Sequence, residues 1–79
     1  MRFVLYSRPG CGLCEEMLSE LAALPAASGV PIDVIDVDTD RALRERFGHK
    51  IPVLVLDGEL VCHGSLDVEE VLKALAHRP

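Results

Sequence analysis

Two cysteines separated by two residues, Cys11-Gly12-Leu13-Cys14, are the side chains in this 79-residue sequence best suited to chemistry. A Cys-x-x-Cys pair can ligate zinc, hold an iron–sulfur cluster, close a small structural disulfide or exchange electrons as a dithiol. Its surroundings narrow the choice. The pair follows a short apolar run, Phe3-Val4-Leu5-Tyr6, and a break at Ser7-Arg8-Pro9-Gly10. It precedes a helical pattern in which Cys14, Met17, Leu18, Leu21 and Leu24 recur at spacings of three and four. Cys11 therefore falls at a helix start, where free amides and the helix dipole favour negative charge. Thiols so placed ionise below the ordinary value of about 8.5, and the thiolate is the nucleophile. Two intervening helical residues bring Cys14 alongside, so Cys11 is assigned as the attacking thiol and Cys14 as the resolving one. Arg8 adds positive potential three residues upstream, which Glu15 and Glu16 oppose.

The elements that position the pair follow from the rest of the chain. Pro25 ends or kinks the first helix. Ile32, Val34, Ile35 and Val37 form a second strand broken by aspartates, suited to an edge or a strand exit. Thr39 is the expected N-cap of a short helix carrying Leu43 and Phe47, with Gly48 as its C′ residue. Val53–Leu56 and Leu60–Cys62 make two more strands, joined by Asp57-Gly58, a strong two-residue hairpin signal. Asp67 with Glu70 three residues on caps a last helix whose stripe is Val68, Val71, Leu72 and Leu75. The order β-α-β-α-β-β-α requires parallel crossovers and one antiparallel hairpin. A mixed four-stranded sheet with helices on both faces satisfies both, an α/β sandwich expected to be one domain over residues 1–79.

Composition agrees. Apolar residues make up 49% and aromatic ones 4%, without Trp, so the core must be aliphatic. Three cysteines are too few to staple a small scaffold, and their odd number suits a reduced, cytoplasmic protein with reactive thiols. The formal net charge of −5 disfavours nucleic acid, and no apolar stretch is long enough to cross a membrane. The short apolar run Phe3–Tyr6, with one preceding Arg, reads as a strand rather than as the apolar part of a secretory leader.

The segment Tyr6-Ser7-Arg8-Pro9-Gly10-Cys11-Gly12-Leu13-Cys14 resembles the active-site region of glutaredoxins and of small glutaredoxin-like proteins. Ile51-Pro52-Val53-Leu54-Val55-Leu56-Asp57-Gly58 resembles the cis-proline segment of that thioredoxin-fold superfamily, and Gly64 with the Asp67 helix resembles its next landmark. The resemblance spans nearly the whole chain in order. It implies a thioredoxin-like fold, a cis Pro52 facing the dithiol, and a substrate paired with the backbone of Ile51. Arg8, Gly12, Leu13, Ile51, Pro52 and Gly64 are then the expected substrate-binding residues. By sequence alone, Pro52 also fits a trans proline opening a strand. The chain departs from the family at Gly12-Leu13, where glutaredoxins usually carry Pro-Tyr. Cys62-His63-Gly64-Ser65 likewise does not reproduce the Gly-Gly and Asp cluster that grips glutathione.

The expected function is thiol–disulfide exchange on protein or low-molecular-weight thiol substrates, acting as a monomer without a resident cofactor or metal. Glutathione or thioredoxin reductase would supply reducing equivalents, glutathione being a candidate co-substrate. A redox-sensing binding module and a metal or iron–sulfur carrier stand as alternatives. Cys62 reads as a small core hydrophobe. Joining it with His63, Cys11 and Cys14 around zinc is disfavoured because consecutive strand residues face opposite ways. His49 and His77 read as solvated or locally hydrogen-bonded.

Overall fold

Four short strands rich in Val, Leu and Ile pair into one sheet, and three helices cover it. The computed structural model describes residues 1–77. The order is β1 (Phe3–Ser7), α1 (Gly12–Ala23), β2 (Ile32–Asp36), α2 (Arg41–Phe47), β3 (Val53–Leu56), β4 (Glu59–His63) and α3 (Val68–Ala76). The sheet runs β2-β1-β3-β4, with β1 and β2 parallel and the remaining pairs antiparallel. This is the mixed four-stranded α/β arrangement expected from the sequence.

Strand alternation divides the sheet into two faces. Phe3 and Leu5 pair with Leu56 and Leu54, and these four join Met17 and Leu21 of α1 and Val71 of α3 in the main core. Tyr6 points to the other face, where its ring stacks on Phe47 of α2 at 4.4 Å between centroids. Helices thus cover both faces. An irregularity between Leu54 and Val55 leaves Val61 unmatched on β4. As a result Val61 and Cys62 both pack against the same core, although they are neighbours in one strand.

Local chemistry explains the element ends. Leu24 caps α1, and Pro25 then opens a 3₁₀ turn over Pro25–Ala27. Asp57 and Gly58 both have positive φ, 48° and 86°, the type I′ hairpin geometry. Asp67 accepts the Glu70 N–H at 3.1 Å and caps α3 as expected. The apolar stripe of α3 is wider than its contact: Val71 is buried, whereas Val68 and Leu72 stay exposed on its flank.

Three expectations change around α2. Val37 does not extend β2 but opens a 3₁₀ turn, Val37–Thr39, in which it is fully buried. Thr39 does not cap α2: its hydroxyl donates to the Asp36 carbonyl at 2.7 Å and closes that turn. Asp40 is the cap, its carboxylate accepting from Ala42 and Leu43. Gly48 is the C-cap itself, in right-handed geometry, rather than a left-handed C′ residue.

Candidate active site

Register places the chemistry-bearing segments at one end of the sheet. Ser7 ends β1, Asp36 ends the parallel β2, and Val53 and His63 are partners at the start of β3 and the end of β4. The loops leaving that end carry Cys11, Asp38, Ile51-Pro52 and Gly64. Their convergence follows from strand direction alone.

The approach to the first cysteine is a tight turn. The Cys11 N–H donates to the Arg8 carbonyl at 3.2 Å across Pro9 and Gly10, and Gly10 has φ 77°. Proline at the second position and a positive-φ glycine at the third are the requirements of a type II turn. The turn delivers Cys11 to the N-cap of α1, with extended φ −88° and ψ 105°. There its sulfur does what an N-cap oxygen ordinarily does, accepting the Cys14 N–H at 3.2 Å. Cys11 and Cys14 are joined as a disulfide, their Cα atoms 5.2 Å apart. The two sulfurs are not equivalent. Cys14 is 3% exposed and belongs to the core side of α1, while Cys11 is half-buried at the helix tip. Leu13 between them is 57% exposed, and a side chain added at Gly12 would meet nothing within 4 Å.

Arg8 has defined partners. Its Nε and Nη2 donate to the two Asp38 oxygens at 2.8 and 3.0 Å, and its Nη1 donates to the Gly48 carbonyl at 3.3 Å. The hydrogen bonds with Asp38 raise the Arg8 pKa and hold the Asp38 carboxyl below the usual carboxylate range. The guanidinium thus ties the dithiol turn to the turn after β2 and to the end of α2, and much of its charge is answered by Asp38. Nothing in the local sequence announces this. The two residues lie thirty positions apart, and Asp38 reads as one of three aspartates interrupting a strand.

The Ile51–Pro52 peptide bond is cis. The Pro52 carbonyl accepts the Gly64 N–H at 2.8 Å, which fixes the exit of β4 against the start of β3. Ile51 makes no main-chain hydrogen bond to the other described residues. A cleft of about 280 Å³ opens on the β2 side of α1, between Leu5, Arg8, Gly10, Cys14, Leu18 and Val34.

Cys62 is half-buried and packs against the main core; burial pushes its thiol pKa up. His49 is exposed, and His77 Nδ1 lies 2.7 Å from the Lys73 carbonyl in a local contact. Among the described residues, no three His, Cys, Asp or Glu side chains are arranged to hold a metal ion. No helix among them is long and apolar enough to cross a membrane.

The sequence matches the glutaredoxin-like domain (DUF836) family over residues 2–76. It is 35% identical over 71 residues to an uncharacterized protein of Mycobacterium tuberculosis, covering 84% of this chain and 71% of the relative. A Nitrosomonas europaea protein solved by solution NMR is similar at 33% identity and TM-score 0.81, over 92% of this chain and 88% of that one. The crystal structure of the thioredoxin-like protein BC3987 matches at 26% identity and TM-score 0.59, over 94% and 99% of the two chains.

Proposed function

Because the chain belongs to the glutaredoxin-like domain (DUF836) family, we propose that it is a thiol–disulfide oxidoreductase in which Cys11 attacks and Cys14 resolves. One observation carries the assignment: the asymmetry of the pair. Cys11 caps α1 and accepts a helix amide at its sulfur, while Cys14 is buried behind it. In the reduced protein the same amide and the helix dipole stabilise a Cys11 thiolate.

The reaction balances as two exchanges. The Cys11 thiolate attacks one sulfur of a substrate disulfide, forming a mixed disulfide and releasing the first substrate thiolate. The Cys14 thiolate then attacks the Cys11 sulfur, closing the intramolecular disulfide and releasing the second. The dithiol loses two electrons and two protons, and the substrate gains them. A cellular thiol reductant of the glutathione or thioredoxin reductase kind, in a reducing compartment such as the cytoplasm, restores the dithiol.

Substrate contact is proposed at Leu13, Gly12, Ile51, Pro52 and Gly64. Leu13 offers exposed apolar surface beside the reacting sulfur, and bare Gly12 leaves room over the helix tip. The main chain of Ile51, which bonds no other main-chain group among the described residues, can pair with an extended substrate segment. Arg8, held by Asp38 and Gly48, shapes the turn under Cys11 as well as bordering the site. Reduction of insulin or of a glutathione mixed disulfide tests the reading. Cys11→Ser removes turnover, and Cys14→Ser accumulates a mixed disulfide on Cys11; turnover surviving in Cys11→Ser contradicts it.

A further inference from the structure

Charge is segregated along this chain. From Pro9 to Asp40 every charged residue is acidic, and from Ile51 to His77 Lys73 stands alone against Asp57, Glu59, Asp67, Glu69 and Glu70. Between these stretches, Arg41, Arg44, Arg46 and Lys50 crowd into ten residues with one carboxylate, Glu45. That segment is α2 and the loop leading to Ile51-Pro52. It lies on the sheet face opposite α1 and α3, fixed by the Phe47–Tyr6 stack.

The cations of the segment are exposed, and Arg44 reaches the Asp38 carboxylate only through longer-range attraction. Arg41 pairs with Glu45 at 3.2 Å, while Arg44, Arg46 and Lys50 have no carboxylate at ion-pair distance among the described residues. Arg46 lies over the Phe47 ring, 4.8 Å from its centroid, so a protein contact holds it in place. Lys50 directly precedes Ile51, whose main chain bonds no other main-chain group among the described residues.

We propose that the α2 face, through Arg44, Arg46 and Lys50, docks an acidic segment of a protein substrate and guides it across Ile51 to Cys11. This rests on the oxidoreductase reading above and names the substrate class for it. The elongated layout favours a peptide segment over a small anion. The cations spread along a helix and its exit loop, and the cleft beside Arg8 and Leu18 includes none of them. The acidic stretches on either side of the segment reinforce the choice, since they repel an acidic partner and so help orient the encounter. A nucleic acid, with its unbroken lattice of phosphates, fits poorly on three cations in a chain of net charge −5.

The test uses the whole reduced protein and three peptides of equal length. Each carries one cysteine as a mixed disulfide with thionitrobenzoate, flanked by four Asp, four Lys or four Ser. Cys11 attacks the peptide sulfur and releases coloured thionitrobenzoate; Cys14 then frees the peptide thiol and closes the protein disulfide. At low salt the Asp peptide should react roughly tenfold faster than the Lys peptide, as expected of electrostatic steering. That ratio should approach one near 1 M salt, where the screening length is about 3 Å. It should also collapse when Arg44→Gln, Arg46→Gln and Lys50→Gln are combined, with the Ser peptide as internal reference, and drop partway in Lys50→Gln alone. Equal rates for the three peptides, or an Asp preference that survives the triple substitution, would overturn the docking surface and leave the oxidoreductase standing. A small dicarboxylate disulfide favoured as strongly as the Asp peptide would overturn it in favour of a small-anion site. No reaction with any peptide would remove the oxidoreductase reading and the docking with it.

Discussion

The sulfurs of this protein differ because their surroundings differ. Cys11 stands at a helix tip with an amide aimed at it, Cys14 is enclosed by the core side of that helix, and Cys62 is half-buried under α3. Burial raises the Cys62 pKa, and the nearby Asp67 and Glu70 charges push the same way, against a main-chain hydrogen bond from Asp67. A raised folded pKa means that stability from the neutral thiol is intact below the ordinary value near 8.5 and fades as pH rises through the folded value. At pH 8, iodoacetamide should therefore modify native Cys62 more slowly than the same residue in urea. Equal rates would show that the thiol is not shielded. A free cysteine in the second strand of a hairpin is expected to pack as a small core hydrophobe, since free cysteines are often buried. The half-burial came from a bulge at Val61 that no sequence pattern marks.

Among the elements, the polar ties are what fix the loops around the dithiol. Arg8 and Asp38 join the Cys11 turn to the turn after β2. Because the folded pKa of Asp38 is lowered, its contribution is present above the ordinary value near 3.9 and is lost as pH falls through the folded value. Thermal midpoints of the wild type and of Asp38→Asn should differ at pH 6 and converge in acid; a constant gap would detach the effect from this ion pair. Asp40→Ala removes the cap of α2 and should cost about 1 kcal/mol in urea unfolding, whereas Thr39→Ala spares the cap. The reverse order would restore Thr39 as the cap. Much at this scale was legible. Pro9-Gly10, Asp57-Gly58 and the Asp67 cap follow from local steric and hydrogen-bond rules and stand where the sequence puts them. Val37 and Thr39 differ because Asp36 accepts the bonds that close a tight turn there, pulling Val37 inward and passing the cap one residue on. Arg8–Asp38 and Phe47–Tyr6 join residues distant in sequence, and only the folded register brings them together.

For the whole molecule, a small core, aliphatic apart from Phe3 and Met17, must hold four loops in place at one end of the sheet. Leu54 is fully buried at the centre of that core, between Leu5 on β1 and Cys62 on β4. Leu54→Ala should cost about 2–5 kcal/mol in chemical unfolding, a large share of the stability of a domain this size. A loss under 1 kcal/mol would mean that the core collapses around the gap. The fold was readable as a whole because aliphatic strands, a hairpin and two capped helices leave one economical arrangement. Charge segregation was present in the sequence too, but its meaning depends on the opposite sheet faces to which α1 and α2 are assigned.

The proposed mechanism needs Cys11 as the activated nucleophile, and a site-resolved alkylation race tests that most directly. The fully reduced protein at pH 7 is given a limiting amount of iodoacetamide, quenched at intervals and mapped by mass spectrometry. Cys11 should carry nearly all the early label, with Cys14 and Cys62 following only after it is consumed or the protein is unfolded. Early label on Cys14 or Cys62 ahead of Cys11 would contradict the assignment of roles on which the mechanism rests.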